Sequence, residues 1–169
     1  MKIRKAQASD REAIIPFVQA ARHDMFGARI NASAVPEDMC TFDQTYCEGQ
    51  GCILIGEDIA GTLSGCIGWR AYDHRFPSLD YHGQSIVEVV RLFVAPSSRR
   101  SGLGSALFCA LRAEAQKAGI EVLYLHTHPF LPGAIQFWEP QGFRPRMIDE
   151  APVWQTIHMD AALLSEAGR

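Results

Sequence analysis

The segment Ile86–Val94 constrains the fold of this chain more than any other. Its nine residues, IVEVVRLFV, are almost all apolar and several are β-branched, which is typical of a strand covered on both faces of a sheet. A polar turn with two glycines follows, and then a helix whose apolar face carries Leu103, Leu107 and Leu111. The next segment, Glu121–Thr127, has the pattern of a second buried strand. A strand, a helix and a strand in this order predict a parallel β-α-β unit with a right-handed crossover.

Shorter elements precede and follow this unit. Ser9 and Glu12 have the spacing of a capping box and predict the start of a helix, which Pro16 is expected to kink or shorten. The other predicted elements are a first strand at Ile3–Ala6, a second short helix with loops between residues 27 and 50, and a hairpin with strands at Cys52–Gly56 and Leu63–Tyr72. A short helix at Pro132–Trp138 and two final strands, one from Phe143 onward and one at Val153–Met159, complete the prediction. This order predicts an α/β (α+β) fold, in which a central mixed antiparallel and parallel sheet is flanked by helices.

Length, composition and charge exclude several classes of protein. The 169 residues fit one domain spanning residues 1–169, and with 47% hydrophobic residues the chain can build a core without disulfides or a metal. A net charge of −3 and a pI near 6.0 argue against a general nucleic-acid binder. No apolar run approaches the roughly 20 residues that span a bilayer, and the first residues do not have the pattern of a signal peptide. Five cysteines without a CxxC pair are typical of reduced thiols. We therefore expect a cytoplasmic protein with no metal and no membrane or nucleic-acid partner.

The polar turn after the central strand reads RRSGLG, residues 99–104. Glycines leave backbone N–H groups unshielded, and these groups lie at the start of a helix, where the helix dipole favours negative charge. Arg99 and Arg100 add charged hydrogen-bond donors beside them. The pattern suits a pyrophosphate, although an ordinary strand-to-helix turn with solvent-facing arginines has the same sequence. The spacing excludes a P-loop, which ends in GK[ST], and the dinucleotide fingerprint, which requires a third glycine at Leu107.

With its flanks, this turn resembles a known family. RRSGLG matches the Gln/Arg-x-x-Gly-x-Gly/Ala loop of the GCN5-related N-acetyltransferases. The preceding EVVRLFVAP resembles that family's central strand, and the later AIQFWEPQGF resembles its second signature, a short helix followed by Gly-Phe. The match covers residues 85–143, and the N-terminal part agrees only in the order and length of its elements. The resemblance implies a GNAT-like acyl-CoA N-acyltransferase fold.

The same resemblance implies where a cofactor binds. Acetyl-CoA would lie where the central strand and the strand Glu121–Thr127 splay apart, with no metal required. Its pantetheine would pair with the backbone of the central strand, at Leu92, Phe93 and Val94. Its pyrophosphate would bind the amides of the turn, and the turn residues concerned are Arg99, Arg100, Ser101, Gly102, Leu103 and Gly104, with Ser105 at the edge.

Glu88 is the candidate catalytic base. It is the only acid in the apolar strand, where removal from water makes a carboxylate more ready to accept a proton unless a cation compensates. The alternative is a structural ion pair with Arg91 or Arg70. The resemblance favours the base, acting directly or through water, because many family members have a carboxylate at this position.

The residue expected to act as the general acid differs from the family pattern. Trp138 stands where relatives commonly have Tyr, and its indole N–H cannot protonate a thiolate. Water or a hydroxyl such as that of Tyr124 is the substitute.

The resemblance implies transfer of acetyl from acetyl-CoA, by direct attack, to a primary amine of a small molecule or of a peptide or protein. The alternative is a catalytically weak acyl-CoA-binding sensor of the same fold; transfer to a hydroxyl or of a longer acyl chain also stays open.

His126 and His128 share a strand face and are expected to line the acceptor pocket rather than bind a metal. The loop at residues 73–84 carries both acids and histidines, so the charge of the acceptor is not fixed by the sequence. Many relatives dimerise through edge strands, which makes the alternating final strand a candidate homodimer contact.

Overall fold

The structure, a computed structural model, describes residues 1–31 and 33–163. It contains seven strands and four α-helices within these residues. The strands are β1 Lys2–Lys5, β2 Cys52–Glu57, β3 Leu63–Ala71, β4 Ile86–Val94, β5 Val122–Thr127, β6 Arg144–Ile148 and β7 Ile157–Ala162. The helices are α1 Arg11–Phe26, α2 Glu37–Cys40, α3 Leu103–Lys117 and α4 Ala134–Trp138.

The strands form one seven-stranded sheet in the order β1-β2-β3-β4-β5-β7-β6. β4 and β5 are parallel, whereas β1 with β2, β2 with β3, β5 with β7 and β6 with β7 are antiparallel. The predicted mixed sheet with flanking helices is confirmed. The described residues form two compact units, Met1–Arg70 with Val90–Glu114 and Ala71–Val89 with residues 115–163. The single domain over residues 1–169 stays a prediction.

In the first unit, α3 packs closely on the strands of the predicted hairpin. The face of α3 is fully buried at Leu103, Leu107 and Leu111, as the sequence predicted. A Cβ atom at Gly56 would lie only 2.9 Å from Leu103 Cδ1. One at Gly65 would lie 3.0 Å from Leu107 Cδ1. Glycines in these two strands therefore make room for the helix, at positions where most strands carry a larger side chain.

Helix α1 begins differently from the prediction. A 3₁₀ turn, Ala8–Asp10, precedes it, and the Asp10 carboxylate accepts a hydrogen bond of 2.8 Å from the backbone N–H of Gln7. The predicted capping box of Ser9 and Glu12 is therefore wrong, because Asp10 provides the capping carboxylate. The Arg4 guanidinium also donates to this carboxylate, at 2.7 and 2.9 Å. The predicted shortening at Pro16 is wrong as well, since α1 continues to Phe26.

In the second unit, the final strand lies elsewhere than predicted. β7 is Ile157–Ala162 rather than Val153–Met159, and Val153 is exposed in a turn. β7 pairs with β5 on one side and β6 on the other, and five of its six residues are buried. Its pattern therefore does not alternate, and it is not an edge strand. The proposed homodimer contact through this strand is wrong for that reason, and β6 occupies the edge instead.

Candidate active site

The glycine-containing turn is an exposed, backbone-rich surface in the first unit. Arg100 and Gly102 have positive φ angles of 61° and 85°. The hydroxyl of Ser101 donates to the carbonyl of Ser98 at 2.6 Å, and Arg99 Nε donates to the carbonyl of Val94 at 3.2 Å. These bonds tie the turn to its own preceding segment. Left-handed residues within a turn can orient neighbouring N–H groups toward one side, which makes a concavity for anions.

The residues of this turn fit a pyrophosphate. A Cβ atom at Gly102 would meet nothing within 4 Å, so the backbone there is open to a ligand. Helix α3 starts at Leu103, and the N–H groups of a helix's first turn have no partner within the helix. Arg99 and Arg100 are exposed beside them. The turn therefore offers both amide and guanidinium donors, and its binding of a pyrophosphate stays a prediction.

Strand β4 carries the other predicted cofactor residues. Its parallel ladder with β5 joins Ile86–Glu88 to Val122–Tyr124, and β4 then continues to Val94. Phe93 is buried in the core of the first unit, whereas Leu92 and Val94 are half-buried. Arg91 has a φ of 61°, an uncommon value for a strand residue, so β4 is irregular between Glu88 and these three residues.

Glu88 is completely buried, and its carboxylate is held by an arginine of the loop between β3 and β4. Arg75 donates from Nη2 to Glu88 Oε1 at 2.7 Å and from Nη1 to Oε2 at 3.1 Å. Nη1 also donates to Asp73 at 2.7 Å. Burial lowers the pKa of Arg75, but the hydrogen bonds with Glu88 and Asp73 outweigh it, and the pKa is raised. The sequence suggested Arg91 or Arg70 as the ion-pair partner and missed Arg75; Arg91 pairs with Asp38.

His126 lies directly beside Glu88. Its Nδ1 is 3.2 Å from Glu88 Oε1, and 35% of its side chain is exposed. The contact follows from the register, because Glu88 is the ladder partner of Tyr124 and His126 is the next residue on the same face of β5. The sequence singled out both residues but did not join them. The signal that could have done so was the alignment of two parallel strands, which a single sequence does not fix.

Tyr124 is not placed to serve as the general acid. It is fully buried, and its hydroxyl lies 2.7 Å from His158 Nδ1, while His158 Nε2 lies 3.1 Å from Asp149 Oδ2. Burial, together with the charge of Glu88, raises the pKa of Tyr124. A buried phenol that resists ionisation and already has a partner is a poor proton donor.

An aromatic cluster forms around Trp138, which packs edge to face with Phe137 and with Phe143. Trp138 and Phe143 are buried.

His128 is a second buried imidazole in this unit. Its Nδ1 lies 3.1 Å from the carbonyl of Trp154, and its ring stacks on Phe130 at 5.1 Å between centroids. Burial lowers the pKa of His128, which outweighs the hydrogen bond to Trp154. The neutral ring is therefore the form that the folded protein favours.

We predict that His128 makes the protein less stable in mild acid. Because its pKa is lower in the folded than in the unfolded chain, unfolding takes up a proton, and the free energy of unfolding falls as pH drops below about 6.5. His128→Gln should reduce this fall by about 1 kcal/mol between pH 7 and 5, measured by urea unfolding at each pH. His82→Gln, at an exposed loop residue, is the control. An unchanged slope in His128→Gln would contradict the assignment.

The described residues contain neither a metal-binding cluster nor a membrane-spanning helix. Across residues 1–31 and 33–163, no three His, Cys, Asp or Glu side chains are grouped so that they could hold a metal ion. Over the same residues, no helix has the length and apolar character needed to cross a membrane.

Comparison with known proteins identifies the family. The profile of the acetyltransferase (GNAT) family matches residues 17–143. An uncharacterized N-acetyltransferase of Schizosaccharomyces pombe is 25% identical over 119 residues, which cover 70% of this chain and 68% of the relative. A ribosomal-protein-alanine N-acetyltransferase from Brucella melitensis has a TM-score of 0.76 at 18% identity, covering 96% of this chain and 100% of that one. PaiA N-acetyltransferase from Thermoplasma acidophilum, solved with coenzyme A, has a TM-score of 0.67 at 16% identity, covering 95% and 98%. The two structures share the fold, and the profile match shows that this chain belongs to the acetyltransferase (GNAT) family.

Proposed function

We propose that this protein is an N-acetyltransferase that moves the acetyl group of acetyl-CoA to a primary amine by direct attack. The observation that carries the proposal is the exposed turn at the start of α3, where Arg100 and Gly102 have positive φ angles and the backbone is open to a ligand. A pyrophosphate is the anion that suits it, and coenzyme A contains one. Membership of the family and the coenzyme A complex of the Thermoplasma relative support the same cofactor.

The proposal divides the binding residues between β4 and the turn. The backbone of Leu92, Phe93 and Val94 would pair with the pantetheine, and an N–H there would stabilise the oxyanion of the tetrahedral intermediate. The pyrophosphate would bind the turn, through Arg99, Arg100, Ser101, Gly102, Leu103, Gly104 and Ser105. Glu88 would assist general-base catalysis, in which the acceptor ammonium loses a proton before it attacks the thioester. No metal is required, because a thiol of pKa near 8.5 is an adequate leaving group.

The acceptor in this proposal is a small-molecule amine or an amino group of a peptide or protein. The name of the Brucella relative indicates a protein N-terminus beginning with alanine, which makes such a peptide one acceptor to test. We propose a cytoplasmic location for the protein. A homodimer is compatible with the proposal, but not one formed by strand pairing at β7, which lies between β5 and β6.

A catalytically weak acyl-CoA sensor is the second candidate. It is favoured by the ion pair of Glu88 with Arg75, which occupies both carboxylate oxygens, and by Trp138 in place of the usual tyrosine. Such a protein would bind acetyl-CoA as tightly as an enzyme but would not turn it over.

Turnover on an amine panel separates the two candidates. The panel comprises a peptide beginning with alanine, lysine, spermidine, kanamycin and 2-phenylethylamine, and release of coenzyme A is measured with a thiol reagent. We expect at least one amine to be acetylated, and Glu88→Gln to lower kcat/KM about tenfold or more while the Kd for acetyl-CoA changes little. Glu139→Gln, at an exposed residue of the same charge, is the control. Micromolar acetyl-CoA binding without turnover of any panel amine would favour the sensor.

A further inference from the structure

We propose that His126 is the general base of the transfer and that Glu88 is a positioning residue that acts through it. This inference rests on the proposed function, because it assigns the proton-accepting atom of that reaction. It starts from the position of the two side chains in the second unit, 3.2 Å apart between His126 Nδ1 and Glu88 Oε1.

The Glu88 carboxylate is poorly placed to take a proton from an acceptor itself. None of its side chain is exposed, and Arg75 donates to both of its oxygens, at 2.7 and 3.1 Å. A guanidinium bound in this two-point manner stabilises the carboxylate anion. Protonating Glu88 would give up those charge-assisted bonds, and an acceptor amine would first have to displace Arg75 or reach a buried oxygen.

His126 has the exposure that Glu88 lacks. About a third of its side chain, 35%, is exposed, and Nδ1 is the ring nitrogen in contact with the carboxylate. Within the part of the chain that the structure describes, no hydrogen bond to Nε2 is found. A carboxylate beside Nδ1 favours the tautomer with the proton on Nδ1, which leaves the lone pair on Nε2. Glu88 therefore orients the ring and stabilises the imidazolium that forms when Nε2 accepts a proton.

The groups around His126 come from three strands and from the segments that follow β3 and β5. Glu88 is on β4 and Tyr124 on β5, with ring centroids of Tyr124 and His126 6.5 Å apart. His158 faces it from β7 at 6.4 Å, and His128 follows on the chain at 5.8 Å between ring centroids. Arg75, on the loop between β3 and β4, contacts the Glu88 carboxylate, and His158 contacts the Asp149 carboxylate through Nε2 at 3.1 Å. Among the described residues, Glu88 provides the carboxylate in contact with the His126 ring.

The proton transfer balances without any further reactant. An N–H bond of the acceptor ammonium breaks, and its proton forms a bond to Nε2 of His126. The freed amine lone pair attacks the thioester carbonyl, the carbon–sulfur bond breaks, and coenzyme A leaves as the thiolate. The amide nitrogen loses its remaining extra proton to solvent, and the imidazolium returns its proton to the thiolate or to water.

The tautomer of His126 can be measured without knowing the acceptor. Long-range ¹H–¹⁵N NMR of the full-length protein at neutral pH should show His126 with its proton on Nδ1. In Glu88→Ala this preference should be lost, while His128, whose Nδ1 lies near a backbone carbonyl, should keep its spectrum. A wild-type His126 protonated on Nε2 would overturn the proposed pair, whatever the protein acetylates.

Kinetics then test the role of the ring. With the panel amine of highest turnover, His126→Ala should lower kcat/KM about 100-fold. It should also remove the acid limb of the pH profile, which is the fall in kcat/KM at acidic pH. Added imidazole should restore part of the rate to His126→Ala but not to Glu88→Ala. The double variant should be no slower than His126→Ala alone, because residues that act as a unit are not additive. His23→Gln, at an exposed residue of α1, should keep the acid limb.

The two levels of the proposal fail in different ways. If the wild type acetylates an amine and His126→Ala retains the acid limb, the inference about His126 is overturned and the enzyme assignment stands. If no panel amine is acetylated, the proposed function fails and takes the catalytic role with it, while the NMR result reports on the Glu88–His126 pair independently.

Discussion

Gly102→Val should weaken binding of acetyl-CoA about 100-fold, measured by isothermal titration calorimetry. Gly102 has a φ of 85°, and a β-branched side chain strongly disfavours this region, so the turn must change its backbone path. That change would turn away the N–H groups proposed to bind the pyrophosphate. Losing about two hydrogen bonds to a charged group costs roughly 3 kcal/mol, which is about 100-fold in Kd.

Gly61→Val is the matched control for this experiment. Gly61 is in the turn between β2 and β3, its φ is 80°, and a Cβ atom there also meets nothing within 4 Å. Both variants therefore carry the same kind of backbone strain, and both should unfold at similarly lower urea concentrations. Only Gly102→Val should lose acetyl-CoA. Equal loss of binding in the two variants would trace the effect to general destabilisation.

A charge variant tests the same turn independently of strain. Arg99→Ala should weaken acetyl-CoA binding less than Gly102→Val, because an exposed arginine contributes one screened contact. Its effect should diminish as salt concentration rises. Unchanged binding in both Gly102→Val and Arg99→Ala would place the cofactor elsewhere and remove the observation on which the proposed function rests.

The central part of the fold was predictable because its pattern is local. An apolar β-branched run, a turn with two glycines and a helix with one apolar face identify β4 and α3, whatever the rest of the chain does. β7 was misplaced because side chains on both of its faces are buried, five of the six residues in all, so burial does not alternate along the strand and does not mark its limits. The start of α1 was misplaced because Asp10, rather than Glu12, makes the capping contact, accepting from the backbone N–H of Gln7 and from the Arg4 guanidinium.

The residues of the candidate site likewise fall into a group that the sequence predicted and a group that depends on long-range contacts. Glu88 and the turn are short-range features, and the sequence named both. Arg75 was missed because it lies in a polar loop without periodicity, and only the folded path of that loop brings it to Glu88. The pairing of His126 with Glu88 depends on the register of β4 and β5, which is set by long-range packing.

A buried ion pair joins Asp38 of α2 to Arg91 of β4 in the first unit. Asp38 is 5% exposed; its carboxylate accepts from Arg91 Nε at 2.9 Å and, at a second oxygen, from Arg91 Nη2. The hydroxyl of Tyr46 also donates to it, at 2.6 Å. The carbonyl of Arg91 accepts a hydrogen bond of 3.2 Å from the Cys66 thiol. The pair thus holds an arginine of unusual backbone conformation at the irregular point of β4.

Asp38→Asn should lower the free energy of unfolding by about 3–5 kcal/mol, because it leaves the largely buried guanidinium of Arg91 without its counter-charge. Urea unfolding at pH 7 measures this. Replacing both partners, in Asp38→Leu with Arg91→Met, should recover much of the loss, since apolar packing can substitute for a buried pair. Asp43→Asn, which breaks the exposed pair with Arg11, should cost at most about 1 kcal/mol.

The pH dependence of the same variant gives a second, independent result. Burial raises the pKa of Asp38, but hydrogen bonding and attraction to Arg91 outweigh it, and the pKa is lowered. The pair therefore stabilises the fold fully above the ordinary aspartate pKa near 3.9, and this contribution is lost as pH falls through the lower folded value. Below about pH 4, stability of Asp38→Asn should fall less steeply than that of the wild type. Parallel curves would mean that Asp38 does not hold its charge in the folded protein, and the large loss at pH 7 would then need a different cause.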